Sequence, residues 1–204
     1  MAKTRIGLDI GSTAVRIAEV QQGDRPSVLR LGQVPLPLGA VEAGEVQRPD
    51  QVGAALERLM EVSGIKGREV HMGMANAKVV AREISLPWLP EKELRSALGF
   101  QVQEFIPMPP EDAIMDFELL DQSDVDGQRM QNMLLVAAPR TSVAAHIDAA
   151  ERAGLLPIGI DFAPLAAVRA TTGDDTPEAE ALVDIGGHIT YIALHRGTSV
   201  RLVR

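Results

Sequence analysis

The sequence predicts an α/β protein assembled from two related halves, with a self-contained module set into the first. Three observations predict it. A turn recurs: Ile6-Gly-Leu-Asp9-Ile-Gly11-Ser12-Thr13-Ala-Val-Arg16-Ile17-Ala18 returns in outline as Leu182-Val-Asp184-Ile-Gly186-Gly187-His-Ile-Thr190-Tyr-Ile192-Ala193. Both copies read an apolar run, Asp-Ile-Gly-[Ser/Gly], four residues, then Ile-Ala, with no gap in the spacing. The first copy opens a run of strand-like segments closed by a helix. The stretch between the copies carries a complete strand and helix pattern of its own.

The first block runs from Arg5 to about Ala75. Ile6–Asp9, Ala14–Gln21 and Val28–Val34 have strand character. A helix follows over Asp50–Ser63, with Asp50 as its candidate N-cap. Val52, Leu56, Leu59, Met60 and Ser63 fall on one face, and Gly64 is the stop signal. A short strand over Val70–Met74 closes the block.

The second block runs from Lys78 to about Leu155. Val79–Leu86 alternates as a strand, and Pro87 and Pro90 break it. A helix is predicted over Glu91–Ile106, with Leu94, Leu98, Val102 and Phe105 on one stripe. Strands Ile114–Leu120 and Met130–Ala137 follow, joined by the polar turn Asp121–Gln128 with its Asp126-Gly127 pair. Thr141 caps a helix that runs through Ala153 and ends at Gly154.

The third block returns to the first domain. Pro157–Asp161 reads as a strand, and Pro164 suits the first turn of a helix over Ala163–Ala170. Asp161 reads as a cap for that helix, in preference to a role as hydrogen-bond acceptor on the same side of the strand as Ala163. Residues Thr171 to Glu178 are polar and structure-breaking, and read as a hinge. The fourth block, Ala181–Arg204, holds the second copy of the turn and two more strands. It is expected to leave an open sheet edge at Thr198–Val203.

The repeated unit favours phosphate. An apolar strand ends in Asp, and a Gly-rich turn leads into a second strand. Such a turn exposes backbone N–H groups with no side chain in the way and can nest an anion. Asp9 and Asp184 cannot touch phosphate, because like charges repel. Their fitting role is to hold Mg²⁺ through water. Arg16 supplies a positive charge near the phosphates. A single Asp-Gly turn is ordinary hairpin chemistry; two in register carry the argument.

Composition sets the remaining bounds. The chain has 204 residues, room for one large domain or two small ones. Aromatics are only 3%, so the core is aliphatic. The net charge is −8 with scattered Lys and Arg, which argues against nucleic acid as a partner. There is no cysteine, which excludes disulfides and thiolate metal sites and is compatible with the cytoplasm. Asp9 stands where a signal peptide needs an apolar run, and no stretch approaches the ~20 apolar residues of a membrane span. The histidines, His71, His146, His188 and His195, show no metal spacing. Ser12 lacks the elbow and the nearby His of a hydrolase nucleophile. Met72, Met74, Met130 and Met133 read as core.

The repeated turns resemble phosphate 1 and phosphate 2 of the actin-like ATPase superfamily, which includes actin, heat-shock chaperone ATPases, sugar kinases, MreB and FtsA. The resemblance implies an actin-like (ribonuclease H-like) fold that binds ATP and Mg between two domains. It puts Asp9, Gly11, Ser12, Thr13 and Arg16 on phosphate 1, and Asp184, Gly186, Gly187 and Thr190 on phosphate 2. Asp9 and Asp184 are the expected Mg²⁺ carboxylates, acting through water.

A second set of segments sharpens the resemblance: Val80-Ala-Arg-Glu-Ile-Ser-Leu-Pro87, Glu91-Lys-Glu-Leu, Gln103-Glu-Phe-Ile-Pro107-Met-Pro109, Asp116-Phe-Glu-Leu-Leu120 and Leu134-Leu-Val-Ala-Ala-Pro-Arg140. They resemble the PilM family of type IV pilus assembly, relatives of FtsA. The resemblance implies domain bounds: 1–77 and 156–173 as the core of the first domain, 78–155 as an inserted 1C module, and 174–204 as the start of a second domain that relatives continue further. It implies a cytoplasmic scaffold, peripheral to the inner membrane, with room for self-association. Its partner would be the cytoplasmic N-terminal peptide of the bitopic membrane protein PilN, held between the first domain's core and the 1C module.

One position departs from the relatives. They commonly place Glu or Gln before the Pro-x-Ala-Ala segment, where it orients the attacking water. This chain has Ala163, whose methyl group accepts no hydrogen bond, so efficient catalysis is not expected. Two other functions stay open: an active ATPase or sugar-kinase-like phosphotransferase, and an FtsA-like cell-division protein. Ala163 and the inserted module weigh against the first. The second needs a C-terminal amphipathic helix from a region outside this sequence.

Overall fold

The computed structural model describes residues 3–173 and 178–204. The expected hinge lies partly outside them, since 174–177 is not among the described residues. The chain opens with β1 (Thr4–Ile10), β2 (Ala14–Gln21) and β3 (Ser27–Pro35). Ile6, Leu8 and Ile10 alternate into the core, as a one-sided strand requires. A small hairpin follows, β4 (Val41–Glu42) with β5 (Glu45–Val46), which the sequence pattern does not reveal. Its turn residues Ala43 and Gly44 both have positive φ, 48° and 75°.

Helix α1 (Pro49–Ser63) starts one residue before the expected N-cap. Pro49 supplies a helical φ without an N–H to satisfy, so it takes the first turn. Arg48 then holds the N-cap position with no side-chain bond, and Asp50 lies in the first turn. There its charge still favours the positive end of the helix dipole. Gly64 ends the helix in the left-handed region, at φ 67°. Strand β6 (Glu69–Met74) follows.

Next come β7 (Val80–Pro87), α2 (Glu91–Gln101), β8 (Ala113–Val125) and β9 (Gln128–Pro139). Helix α2 is shorter than its apolar stripe. The stripe continues past it through bonded turns, with the Val102 N–H donating to the Leu98 carbonyl and the Phe105 N–H to the Val102 carbonyl. Val102 and Ile106 remain buried. Pro107, Pro109 and Pro110 would block further helix, since each lacks an N–H.

The β8–β9 hairpin is longer than expected. Asp126 and Gly127 have φ 53° and 77°, the double left-handed turn that matches strand twist. The polar run Asp121–Asp124 therefore stays in the ladder. Cross-strand side chains hold it: the Asn132 amide donates to Asp121, and Arg129 donates to Gln122. Arg201, further along the chain, donates to both Glu83 and Asp121 at 3.0 and 2.9 Å. The Asn132 and Arg201 hydrogen bonds hold the Asp121 carboxyl below its ordinary range.

The chain closes with α3 (Arg140–Arg152), β10 (Leu156–Phe162), α4 (Ala163–Thr171), β11 (Ala179–Ile185), β12 (Thr190–Arg196) and β13 (Ser199–Val203). Two main sheets result. The first has the order β10-β6-β1-β2-β3. Its β10, β6 and β1 run parallel, and β1, β2 and β3 run antiparallel. The second has the order β11-β12-β13-β7-β9-β8.

This second order corrects the expected open edge at Thr198–Val203. Strand β13 is not an edge: Leu202 pairs with Arg82 of β7. Among the described residues the outermost strands of that sheet are β11 and β8. The pairing joins segments far apart in sequence, which no local pattern encodes.

The chain divides into two compact units. One comprises Met1–Ala77, Ala144–Ala166 and Ile185–Thr190; the other comprises Lys78–Val143, Ala167–Asp184 and Tyr191–Arg204. The first unit's core joins Ile6, Leu8, Val15, Ile17, Val70 and Met72 of the sheet to Val52, Leu56 and Leu59 of α1. Ala149 and Ala150 of α3, and Ala153 just past its end, belong to it too. Gly53 admits α3 closely, since a Cβ there would lie 2.9 Å from the Arg152 Cβ. Of α3, the residues up to Val143 fall in the second unit, while Ala149 and Ala150 lie in this core. In the second unit, Leu94, Leu98, Val102 and Ile106 cover Ile84, Phe117, Met133 and Leu135 of the second sheet.

Leu56 is fully buried at the centre of the first core. Leu56→Ala is expected to cost about 2–5 kcal/mol in urea unfolding, from lost transfer energy plus a cavity. A loss well under 1 kcal/mol would mean that α1 is not clamped as described.

Candidate functional site

The first turn is built by the β1–β2 hairpin. Register pairs Ile10 with Val15 and Asp9 with Arg16. The Gly11 N–H donates back to the Ala14 carbonyl at 3.1 Å, closing the loop. A Cβ on Gly11 would lie 3.0 Å from that carbonyl oxygen and 3.1 Å from Arg16 Nη1. The first approach is to backbone, so a side chain here would require the turn to give by a few tenths of an ångström; the second is to the end of a flexible side chain that can move.

The second turn repeats the first. The Gly186 N–H donates to the Ile189 carbonyl at 2.9 Å, the matching pair in the repeated spacing. A Cβ on Gly186 would lie 2.8 Å from the same oxygen. The sequence repeat is therefore also a repeat of turn geometry. Residues Ile185–Thr190 belong to the first unit. Within it Gly187 lies against the first turn: a Cβ there would stand 2.7 Å from Thr13 Cγ2. Gly186 and Gly187 are exposed to solvent, as a ligand-binding turn requires.

The structure thus gathers Asp9, Gly11, Ser12, Thr13 and Arg16 in one hairpin and sets Gly187 beside Thr13. Thr190 opens β12. Asp184 lies in β11, exposed, in the second unit. Its nearest electrostatic effect is on Tyr191, whose hydroxyl is pushed up to about 12, by burial first and by the Asp184 charge second. Among the described residues no three His, Cys, Asp or Glu side chains gather in a metal-ligand cluster.

Two features escape the sequence. Arg16 does not point freely at the turn. Its Nη1 pairs with Asp9 Oδ2 at 3.0 Å, and its Nε donates to Gln33 Oε1 at 3.0 Å. Hairpin counting from the Gly11–Thr13 loop would have found the Asp9–Arg16 partnership; Gln33 depends on the β2–β3 register, which pairs Arg16 with Gln33. Second, Asp161 lies inside β10, and Gly73 of β6 pairs with both Asp9 and Asp161. The two aspartates occupy one row, two strands apart, about 10 Å between backbones. Ala163 adjoins that row: a Cβ on Gly73 would lie 3.5 Å from the Ala163 Cβ. Further along the sheet, a cleft of about 590 Å³ is lined by Arg5, Gly7, His71, Gly159 and Asp161 and includes no residue of either turn.

The family model of the type IV pilus assembly protein PilM matches residues 7–203. The chain belongs to the PilM family. Among solved structures, the PilM-PilN type IV pilus biogenesis complex matches with a TM-score of 0.87 and 27% identity, covering 100% of this chain and 61% of that one. The chain thus spans about three fifths of that PilM-family relative. The cytoplasmic domain of EpsL, an inner-membrane component of the type II secretion system of Vibrio cholerae, matches at TM-score 0.62 and 14% identity, over 99% of this chain and 71% of that one. The ethanolamine utilization protein EutJ of Carboxydothermus hydrogenoformans matches at 0.57 and 15%, over 100% and 52%. At these identities the last two likenesses are ones of fold. The fold is a mixed α/β arrangement of the actin-like ATPase class. Among the described residues no helix is long and apolar enough to cross a membrane.

Proposed function

We propose that this chain is a scaffold of type IV pilus assembly that binds the cytoplasmic N-terminal peptide of a PilN-type inner-membrane protein and responds to Mg·ATP. The observation that carries this reading is the match, along the whole chain, to the PilM-PilN complex. Peripheral association with the inner membrane would follow from that partner. An extended peptide captured through main-chain hydrogen bonds gives such a scaffold specificity without catalysis.

The residues of the two turns suit a phosphate ligand. Both turns close through a glycine N–H, and both hold glycines where a Cβ would collide. Such backbone lets amide groups approach phosphoryl oxygens. We assign Ser12, Thr13 and the Gly187 amide to phosphate; Gly11 and Gly186, whose N–H groups close the turns, and Thr190 shape the turns that present them. Asp9 would hold Mg²⁺ through water, and the family resemblance gives Asp184 the same role at its own turn. ATP, when bound, would supply phosphoryl charge that Mg²⁺ and Arg16 offset and that the hydroxyl and amide groups hydrogen-bond. Nucleotide binding here would act as a signal more than as chemistry, since Ala163 offers a methyl group where a water-orienting side chain is needed.

The test is calorimetry with synthetic N-terminal peptides of candidate inner-membrane pilus proteins. One peptide is expected to bind saturably and to lose binding when its sequence is scrambled. Failure of every candidate from the organism's own pilus operon would sink the scaffold reading.

A further inference from the structure

We infer that Arg16 gates Asp9, so that the first turn takes Mg²⁺ more readily together with phosphate than alone. This deepens the nucleotide reading above and rests on it. The register of the hairpin sets Asp9 directly opposite Arg16, and the pair closes at 3.0 Å. Gln33 holds the guanidinium from behind, through Nε, at 3.0 Å. The absent Cβ of Gly11 leaves room for Nη1 over the turn, since a methyl group there would stand 3.1 Å from it. Arg16 is therefore stationed at the turn's mouth with its charge spent on the carboxylate proposed for the metal.

Two consequences follow from elementary electrostatics. A free divalent cation meets a carboxylate already neutralised and a fixed positive charge beside it, so it is repelled. A phosphoryl group offers the guanidinium a better anion, with several oxygens for its fork. Arg16 then leaves Asp9 for a phosphoryl oxygen, and the side of the carboxylate that it covered opens to the metal's water shell. The pair is about half exposed on both sides, 47% each, so breaking it is cheap. A buried pair could not serve as such a switch. The second turn has no equivalent device: the matching position is Tyr191, which carries no positive charge.

The experiment is isothermal calorimetry on the chain, with MgCl₂ alone and with Mg·ATP, for wild type, Arg16→Gln and Arg16→Lys. Arg16→Gln is expected to bind Mg²⁺ alone roughly two- to fivefold more tightly, the scale of an exposed ion pair. The same variant should bind Mg·ATP about tenfold more weakly, having lost a charged hydrogen bond. Arg16→Lys keeps the charge and should leave Mg²⁺ alone as weak as in wild type. Opposite signs for the two ligands are the signature of a gate. If Arg16→Gln weakens both, or leaves Mg²⁺ unchanged while wild type binds Mg·ATP, the gate is overturned and the phosphate site stands. If no variant binds either ligand, the gate and the nucleotide reading fall together.

Discussion

Ala163→Glu is expected to accelerate ATP hydrolysis about 10²–10⁴-fold, the usual worth of a positioned general base. The geometry supports the choice of position. Position 163 opens α4, and its Cβ adjoins Gly73, which pairs in register with Asp9. A carboxylate on this spot would reach toward the first turn from the neighbouring strand row. Alanine there leaves any water without an acceptor, so the wild-type chain should bind nucleotide and turn it over very slowly. Single-turnover measurement at saturating ATP checks this, with binding measured separately for both forms. A variant that binds ATP as wild type does yet is no faster would end the idea. Asp161 is the rival acceptor, because it shares the row with Asp9. Should wild type already hydrolyse ATP briskly, Asp161→Asn would be expected to abolish the activity, and the assignment of an inactive centre at Ala163 would be wrong.

What the sequence reveals and what it hides follow one physical line. Strands β1, β2 and β6 and helix α1 are legible because each buries a single face, so its apolar residues recur at period two or 3.6. The Gly-rich turns are legible because so few residues can replace glycine at Gly11 and Gly186, and the repeat of spacing proves to be a repeat of hydrogen bonding. The polar arm Asp121–Asp124 reads as loop by composition, yet the Asp126-Gly127 turn keeps it in the ladder. The pairing of Leu202 with Arg82, and the burial of α3 alanines among α1 and the first sheet, are long-range choices between surfaces that look alike locally. At the site, residue types point to phosphate and the short hairpin sets Asp9 opposite Arg16, but the link from Arg16 to Gln33 is a property of the β2–β3 register. Only paired strands display it.

Gly44→Ala is expected to destabilise the first unit by about 3–5 kcal/mol, at the far end of single-substitution effects. Two costs combine. Gly44 sits at φ 75°, where any L side chain is strained, at about 1–2 kcal/mol. A Cβ there would also stand 2.0 Å from the Ala75 carbonyl oxygen and 2.8 Å from the Asn76 Cα. Both are backbone atoms at the end of β6, so no side chain can rotate aside. Relief requires the β4–β5 hairpin to lift, and Ala40, Val41 and Val46 around it are buried in the core. Gly64→Ala separates the two costs: φ is 67°, yet a Cβ meets nothing within 4 Å. That variant should lose only the conformational part, about 1–2 kcal/mol. Urea unfolding of wild type and both variants gives the comparison. Equal losses at the two glycines would mean that the hairpin does not press on Ala75, and that its place against the core is wrong.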